Sequence, residues 1–220
     1  MNTNPSAKRI LCFGDSNTWG RKPGDDNSAR FGSDVRWTGV LQNQLGDHYE
    51  VLEEGLNGRT TNLDSPDKPG KNGAEYLFPC LESASPIDMI VLQLGKNNFK
   101  TKYHASPEDI VSGLEDCIRA IKKEGRDRNG KVPQVILLPI LPVEEKEYYS
   151  AGRKEISFQG AKEKSLALLP LYASVARKQN FYFADITQIA SVSEADGIHI
   201  DGETHSVIGK YLADIIRDLT

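Results

Sequence analysis

Four short blocks of the 220-residue sequence hold residue types that together could run acyl chemistry. They are Phe13-Gly14-Asp15-Ser16-Asn17-Thr18-Trp19-Gly20, Glu54-Gly55-Leu56-Asn57-Gly58-Arg59-Thr60-Thr61, Leu94-Gly95-Lys96-Asn97-Asn98 and Asp196-Gly197-Ile198-His199-Ile200-Asp201. A serine hydroxyl is a weak nucleophile until a base takes its proton. Histidine, whose pKa lies nearest working pH, is the usual base. Its other ring nitrogen needs an acid that fixes the tautomer and stabilises the imidazolium. Ser16, His199 and Asp196 are the expected catalytic set, with Asp196 and His199 three apart on a turn that contains Gly197. The developing oxyanion needs preorganised donors. The Ser16 N–H, the Gly58 N–H and the Asn97 side-chain amide could supply them, and Gly58, lacking a side chain, lets backbone approach a substrate closely. Asp15, Asn17, Trp19, Lys96, Asn98 and Ile198 flank these groups and are candidates for the substrate pocket.

Each block alone has a plainer reading. A serine after a strand is usually a turn or cap residue, Asp-x-x-His before a helix is usually a cap, and Gly58, Gly95, Asn97 and Asn98 suit ordinary turns. The four blocks in order, each after the element that should position it, outweigh those readings. His48 and His104 have no such company and read as surface residues. His205, one turn into the last helical pattern, is expected to be structural, and Asp201 to cap that helix. Competing motifs are missing: no Walker A loop, no GxGxxG after the first strand, no HExxH and no GxSxG elbow.

The positioning elements are legible. Apolar runs at Arg9–Phe13, Tyr49–Glu53, Met89–Leu94, Gln134–Leu138 and Phe181–Ala184 read as strands. Several are continuously apolar, as in a parallel sheet covered on both faces. Helical periodicity runs over Trp37–Leu45, Pro107–Lys123, Ala161–Arg177 and Glu203–Leu219, with a shorter helix near Asn72–Ser83. Ser106 is the expected N-cap before Pro107. This alternation predicts a doubly wound α/β sandwich, whose ligands bind outside the carboxyl ends of the strands. That rule puts the site after the first, second and third strands, where the first three blocks lie. The least patterned stretches are Arg21–Val35, Asn57–Lys71 and Leu141–Gly160. The last carries Glu144, Glu145, Tyr148, Tyr149 and Phe158 and reads as an elaborated, functional loop.

Composition bounds the function. Hydrophobic residues make up 38%, charged residues 26%, and the net charge is −4. No basic face points to nucleic acid, since Lys/Arg runs are short and solvated, as at Lys122–Lys123. No apolar stretch reaches a membrane span. Cys12, Cys80 and Cys117 match no metal or redox spacing, and Cys12 is expected as a buried thiol. The opening residues contain no apolar leader core. A cytoplasmic protein is expected, folded as one domain over residues 1–220, with 1–7 as a flexible N-terminus.

The four blocks resemble those of the SGNH hydrolases, the GDSL lipase/esterase superfamily, with Ser16, Gly58, Asn97 and His199 as the name-giving residues. Residues 8–16, 34–40, 53–56 and 59–62 are similar to the bacterial arylesterase/acyltransferase branch, which lies close to certain carbohydrate acetylesterases. The resemblance runs from about Ala7 to the C-terminus. It implies a flavodoxin-like three-layer α/β/α sandwich on a five-stranded parallel sheet. It implies a serine esterase working through an acyl-serine, with no metal, no cofactor and homo-oligomers. The expected substrate is a small-molecule ester with a short, acetyl-like acyl group, passed to water or another alcohol. Trp19 and Phe31 are expected on the acyl side, and Trp37 in the core. Carbohydrate deacetylation is the alternative, and a non-catalytic ligand-binding protein a more distant one.

The third block departs from the family's Gly-x-Asn-Asp. Asn98 stands for the acid, so its hydrogen bonds must differ. Lys96 stands where Thr is common and is expected as a solvated lysine at the sheet edge, or else as a selector of anionic or polar substrates. With an ordinary histidine pKa, activity should fall as pH drops through about 6.5.

Overall fold

The computed structural model describes residues 2–24, 29–66, 68–146, 148–150, 153–155 and 158–220, with backbone only at 148–150 and 153–155. In chain order come β1 (Lys8–Gly14), the one-turn helix α1 (Ser16–Trp19), α2 (Trp37–Leu45), β2 (Tyr49–Gly55) and α3 (Gly73–Ala84). Then follow β3 (Met89–Gln93), α4 (Pro107–Glu124), β4 (Gln134–Leu137), β5 (Tyr148–Ser150) and β6 (Arg153–Glu155). α5 (Ala161–Gln179), β7 (Tyr182–Phe183) and α6 (Gly202–Leu219) complete the chain. The five predicted strands pair in parallel in the order β2-β1-β3-β4-β7, while β5 and β6 form a small antiparallel hairpin inside the 141–160 stretch.

Strand periodicity explains the layers. Successive side chains of a strand point to opposite faces, so β1 sends Leu11 and Phe13 one way and Ile10 and Cys12 the other. Leu11, Phe13, Ile90, Leu92, Val135 and Leu137 pack with Leu77 of α3, Ile110 and Leu114 of α4, and Leu168 and Tyr172 of α5. Ile10, Cys12, Met89, Val91 and Ile136 pack with Trp37 and Leu41 of α2 and Ile208, Leu212 and Ile216 of α6. Each fully buried side chain of this kind contributes about 1.5–3 kcal/mol. Two apolar faces per strand are why the strands read as continuous runs. Trp37 is core, as expected, at 1% exposure.

The strand order reverses direction between β1 and β3, which opens the crevice of a doubly wound sheet at their carboxyl ends. Helix starts fix where the chain re-enters the layers. Ser106 and Asp109 form a capping box with Pro107 at the first turn of α4, and Asp201 accepts from Thr204 N to cap α6. β3 stops one residue earlier than predicted. The Leu94 carbonyl leaves the ladder to accept the Tyr172 hydroxyl at 2.6 Å, and Gly95 turns the chain at φ +131°. Residues 2–7, expected as flexible, lie along the surface with the Asn2 and Asn4 amides donating to the Asp47 carbonyl at 2.8 and 3.1 Å. Among the described residues no helix is long and apolar enough to cross a membrane.

Candidate active site

β1 delivers Ser16 into the crevice on α1, which is a single turn. Asp15 caps it by accepting from Asn17 N at 2.9 Å, and Gly20 ends it in the left-handed region. The turn sits so close to the sheet that neighbouring glycines are obligatory. A Cβ on Gly55 would fall 2.2 Å from Trp19 N, and one on Gly14 would fall 2.0 Å from Thr18 Oγ. Ser16 is 3% exposed.

The turn before α6 brings the histidine from the other end of the chain. Asp196 Oδ1 accepts from Ile198 N and His199 N, both at 2.9 Å, so one carboxylate oxygen shapes the turn. Asp196 Oδ2 lies 2.7 Å from His199 Nδ1 and also accepts from Gly24 N at 3.0 Å. His199 Nε2 lies 3.0 Å from Ser16 Oγ. Gly197 is pressed against the 141–160 stretch: its carbonyl accepts from Glu144 N at 2.8 Å, and a Cβ there would fall 2.6 Å from the Glu144 carbonyl. Ser16, His199 and Asp196 therefore form one unbroken hydrogen-bonded chain. It can carry a proton away from a hydroxyl and hold the resulting imidazolium.

Burial sets the electrostatics. Removing His199 from water, with Lys96 nearby, outweighs the hydrogen bond and charge of Asp196 and lowers its pKa to about 4. The expectation of an ordinary value near 6.5 is thereby corrected. Burial alone would raise the Asp196 pKa, but the His199 ring, the His199 N–H and the Gly24 N–H hold it well below the usual carboxylate range.

Gly58 occupies the third position of a turn closed by Arg59 N donating to the Leu56 carbonyl at 3.1 Å, and its φ of +76° is one that glycine adopts without strain. Asn97 Nδ2 donates to the Arg59 carbonyl at 3.0 Å and to Asp15 Oδ2 at 3.3 Å, tying the first three blocks together. Asn98 is 1% exposed and bonded to Thr61, so it braces two loops. Asn17 Nδ2 reaches the Ile198 carbonyl at 3.5 Å.

Lys96 differs from the solvated residue expected. It is 2% exposed, with Nζ at 3.3 Å from Ser16 Oγ, 3.2 Å from the Ile198 carbonyl and 3.6 Å from Asp15 Oδ1. Acceptors from the turn after β1 and from the turn before α6 draw it inward. Arg30 covers the Trp19 ring at 4.9 Å, and Phe31 stands edge-on to His205 at 5.3 Å. His205 accepts from Trp37 N at 3.2 Å, a structural role. Glu144 Oε2 pairs with Lys162 Nζ at 2.9 Å, and Glu145 accepts from Lys162 N at 3.1 Å, so both brace the start of α5. The Tyr148 and Tyr149 side chains lie outside the described residues.

Two contributors carry no sequence-level role. Arg59, buried against the Phe13 ring at 4.1 Å, donates to the Gly14 carbonyl at 3.0 Å and to the Glu54 carbonyl, locking β1 to the second block. Lys100 Nζ lies 3.8 Å from where a Gly58 Cβ would be, and burial with Lys102 and Lys96 nearby lowers its pKa to about 8. The density of lysines over 96–102 in a net-acidic chain was the available signal.

Residues 12–206 match the sequence profile of the GDSL-like lipase/acylhydrolase family. No curated protein matches the chain. Among solved structures, an aryl esterase from M. smegmatis is 36% identical, covering 97% of this chain and 100% of its own, with a TM-score of 0.88. A carbohydrate acetylesterase from Sinorhizobium meliloti is 33% identical over 97% of this chain and 100% of its own, with a TM-score of 0.87.

Proposed function

Because the chain belongs to the GDSL-like lipase/acylhydrolase family, the SGNH hydrolases, and is a carboxylic ester hydrolase, we propose that Ser16, His199 and Asp196 are its catalytic triad. We propose further that its substrates are small esters of short acyl groups. The carrying observation is the pair of distances that joins the three residues, 3.0 Å from Ser16 Oγ to His199 Nε2 and 2.7 Å from His199 Nδ1 to Asp196 Oδ2.

In this reading Ser16 Oγ attacks the ester carbonyl while His199 Nε2 takes its proton. Asp196 holds the Nδ1–H tautomer and the imidazolium that forms. The Ser16 and Gly58 N–H groups and the Asn97 amide receive the oxyanion. Asn97 exchanges its longer bond, the one to Asp15 Oδ2, for that oxygen. The tetrahedral species collapses as His199 protonates the leaving alcohol. Water, or another alcohol, repeats the sequence on the acyl-serine. An acceptor alcohol is supported by the similarity of residues 8–16, 34–40, 53–56 and 59–62 to the arylesterase/acyltransferase branch. The three cysteines are unpaired and buried, which supports a reducing, cytoplasmic setting. Homo-oligomerisation is supported by the family likeness.

The test is p-nitrophenyl acetate turnover by the wild type and Ser16→Ala, with a serine-directed fluorophosphonate label alongside. Turnover and labelling should both vanish in Ser16→Ala; persistence of either removes Ser16 as nucleophile. A second reading, deacetylation of a sugar, is supported by likeness to the S. meliloti carbohydrate acetylesterase. Faster turnover of an acetylated xyloside than of the aryl ester would favour it.

A further inference from the structure

Ser16 Oγ has two nitrogens within hydrogen-bonding reach, His199 Nε2 at 3.0 Å and Lys96 Nζ at 3.3 Å. An ammonium carries three donors and no acceptor, whereas a hydroxyl carries one proton and two lone pairs. The contacts of Lys96 match that inventory: a hydroxyl oxygen, the Ile198 carbonyl and the Asp15 carboxylate. Since charged Lys96 can only donate to Ser16 Oγ, the serine proton is left to point at His199 Nε2. That direction in turn requires the Nδ1–H tautomer that Asp196 Oδ2 accepts.

We propose that Lys96 is a catalytic residue, a fixed ammonium donor to Ser16 Oγ that aims the hydroxyl proton at His199 and repels the further proton that would silence the imidazole. The proposal rests on the triad reading above. The charged groups that face this cation are Asp15 from the turn after β1, Asp196 and His199 from the turn before α6, Arg21 after α1, and Lys100 further along the segment that carries Lys96. Burial lowers the Lys96 pKa and Arg21 adds to that, while Asp15 and Asp196 oppose it. Burial lowers the His199 pKa first and Lys96 next.

The step balances. During acylation the Ser16 proton passes to His199, the Oγ–carbon bond forms and the carbonyl electron pair moves onto the oxyanion. Lys96 keeps its three protons and stabilises the charge growing on Oγ. During deacylation water gives its proton to His199 as its oxygen bonds to the acyl carbon; the tetrahedral species then collapses, the Oγ–carbon bond breaks and the acyl group leaves as the carboxylic acid. Oγ departs with its electron pair hydrogen-bonded by Lys96 until His199 reprotonates it. One donor thus serves Oγ both as nucleophile and as leaving group.

The experiment is the pH dependence of kcat and KM for p-nitrophenyl acetate from pH 3.5 to 8, in the wild type, Lys96→Met and Lys96→Gln. Folding is checked by circular dichroism at each pH. In the variants the acid limb should move up by about one pH unit or more. Their plateau kcat should fall about tenfold, on the order of one pKa unit's worth of lost stabilisation, with KM little changed. An unmoved acid limb in a folded variant overturns the proposal. Should neither variant fold, NMR of wild-type protein labelled at lysine Nζ reads the charge directly. A protonated Lys96 at pH 7 supports the proposal and a neutral amine overturns it. Turnover persisting in Ser16→Ala would instead sink the triad reading, whatever Lys96 does.

Discussion

Thr61 and Asn98 exchange two hydrogen bonds: Thr61 N donates to Asn98 Oδ1 at 3.0 Å, and Asn98 Nδ2 donates to Thr61 Oγ at 2.8 Å. Both residues are buried, so this pair clamps the second block to the third. Asn98→Ala strands the Thr61 N–H, at a cost of about 1–3 kcal/mol, while the Thr61 hydroxyl keeps its bond to Asn62 Oδ1 at 3.3 Å. Asn98→Asp should cost less, because a carboxylate still accepts from Thr61 N. Urea unfolding of the two variants checks the order; equal losses would mean that the bond from Thr61 N to Asn98 Oδ1 contributes little.

Two buried histidines should make the fold acid-sensitive. Burial lowers the pKa of both His199 and His205 to about 4, against about 6.5 in the unfolded chain. Between those values the unfolded state binds protons that the folded state refuses, so stability is present above pH 6.5 and is lost as pH falls towards 4. Each histidine contributes roughly 3 kcal/mol to that change. His205→Asn should flatten the dependence of urea midpoint on pH across this window; an unchanged slope would place the sensitivity elsewhere.

The same depression governs catalysis. Only neutral His199 accepts the Ser16 proton, so wild-type kcat/KM should stay level from about pH 8 down to about 5 and fall through about 4. An acid limb centred near 6.5 would mean that the ring is more solvated, or less influenced by Lys96, than its surroundings imply.

Removing the Asn97 amide tests the oxyanion assignment. Asn97→Ala should lower kcat by about 10²–10³ while KM moves little, because the lost donor matters most in the transition state. A change confined to KM would assign Asn97 to binding the ground state.

Gly55→Ala should damage activity without touching any reacting group. Its Cβ would meet Trp19 N at 2.2 Å and push α1 off the sheet. A stability loss of about 1–3 kcal/mol is expected from such overpacking, together with a fall in kcat beyond what unfolding explains. Full activity in a folded Gly55→Ala would mean that the Ser16 turn tolerates displacement.

The strands were readable because burial on both faces leaves only apolar residues, and the helices because Ser106, Asp201 and their periodicity mark starts and faces. The residues proposed as the triad were readable because Ser16 follows β1 and Asp196 and His199 stand on the turn that precedes α6. What escaped were relations between residues far apart in the chain. Gly95 and Asn97 give no sign that Lys96 is buried; its acceptors Ser16 and Ile198 lie 80 and 102 positions away. Glu144 and Glu145 looked free for a ligand because Lys162, their partner, comes after a hairpin. The role of Arg59 left no mark in the sequence because its acceptors are backbone carbonyls, which no side-chain pattern records.

Glu144 and Gly197 meet backbone to backbone, with no room for a side chain between them. The stretch that begins there is therefore not free to vary in length at its root. An added or lost residue beside Glu144 would shift Gly197, and with it the ring of His199. Chain length beside Glu144 and the aim of the His199 ring are thus one constraint.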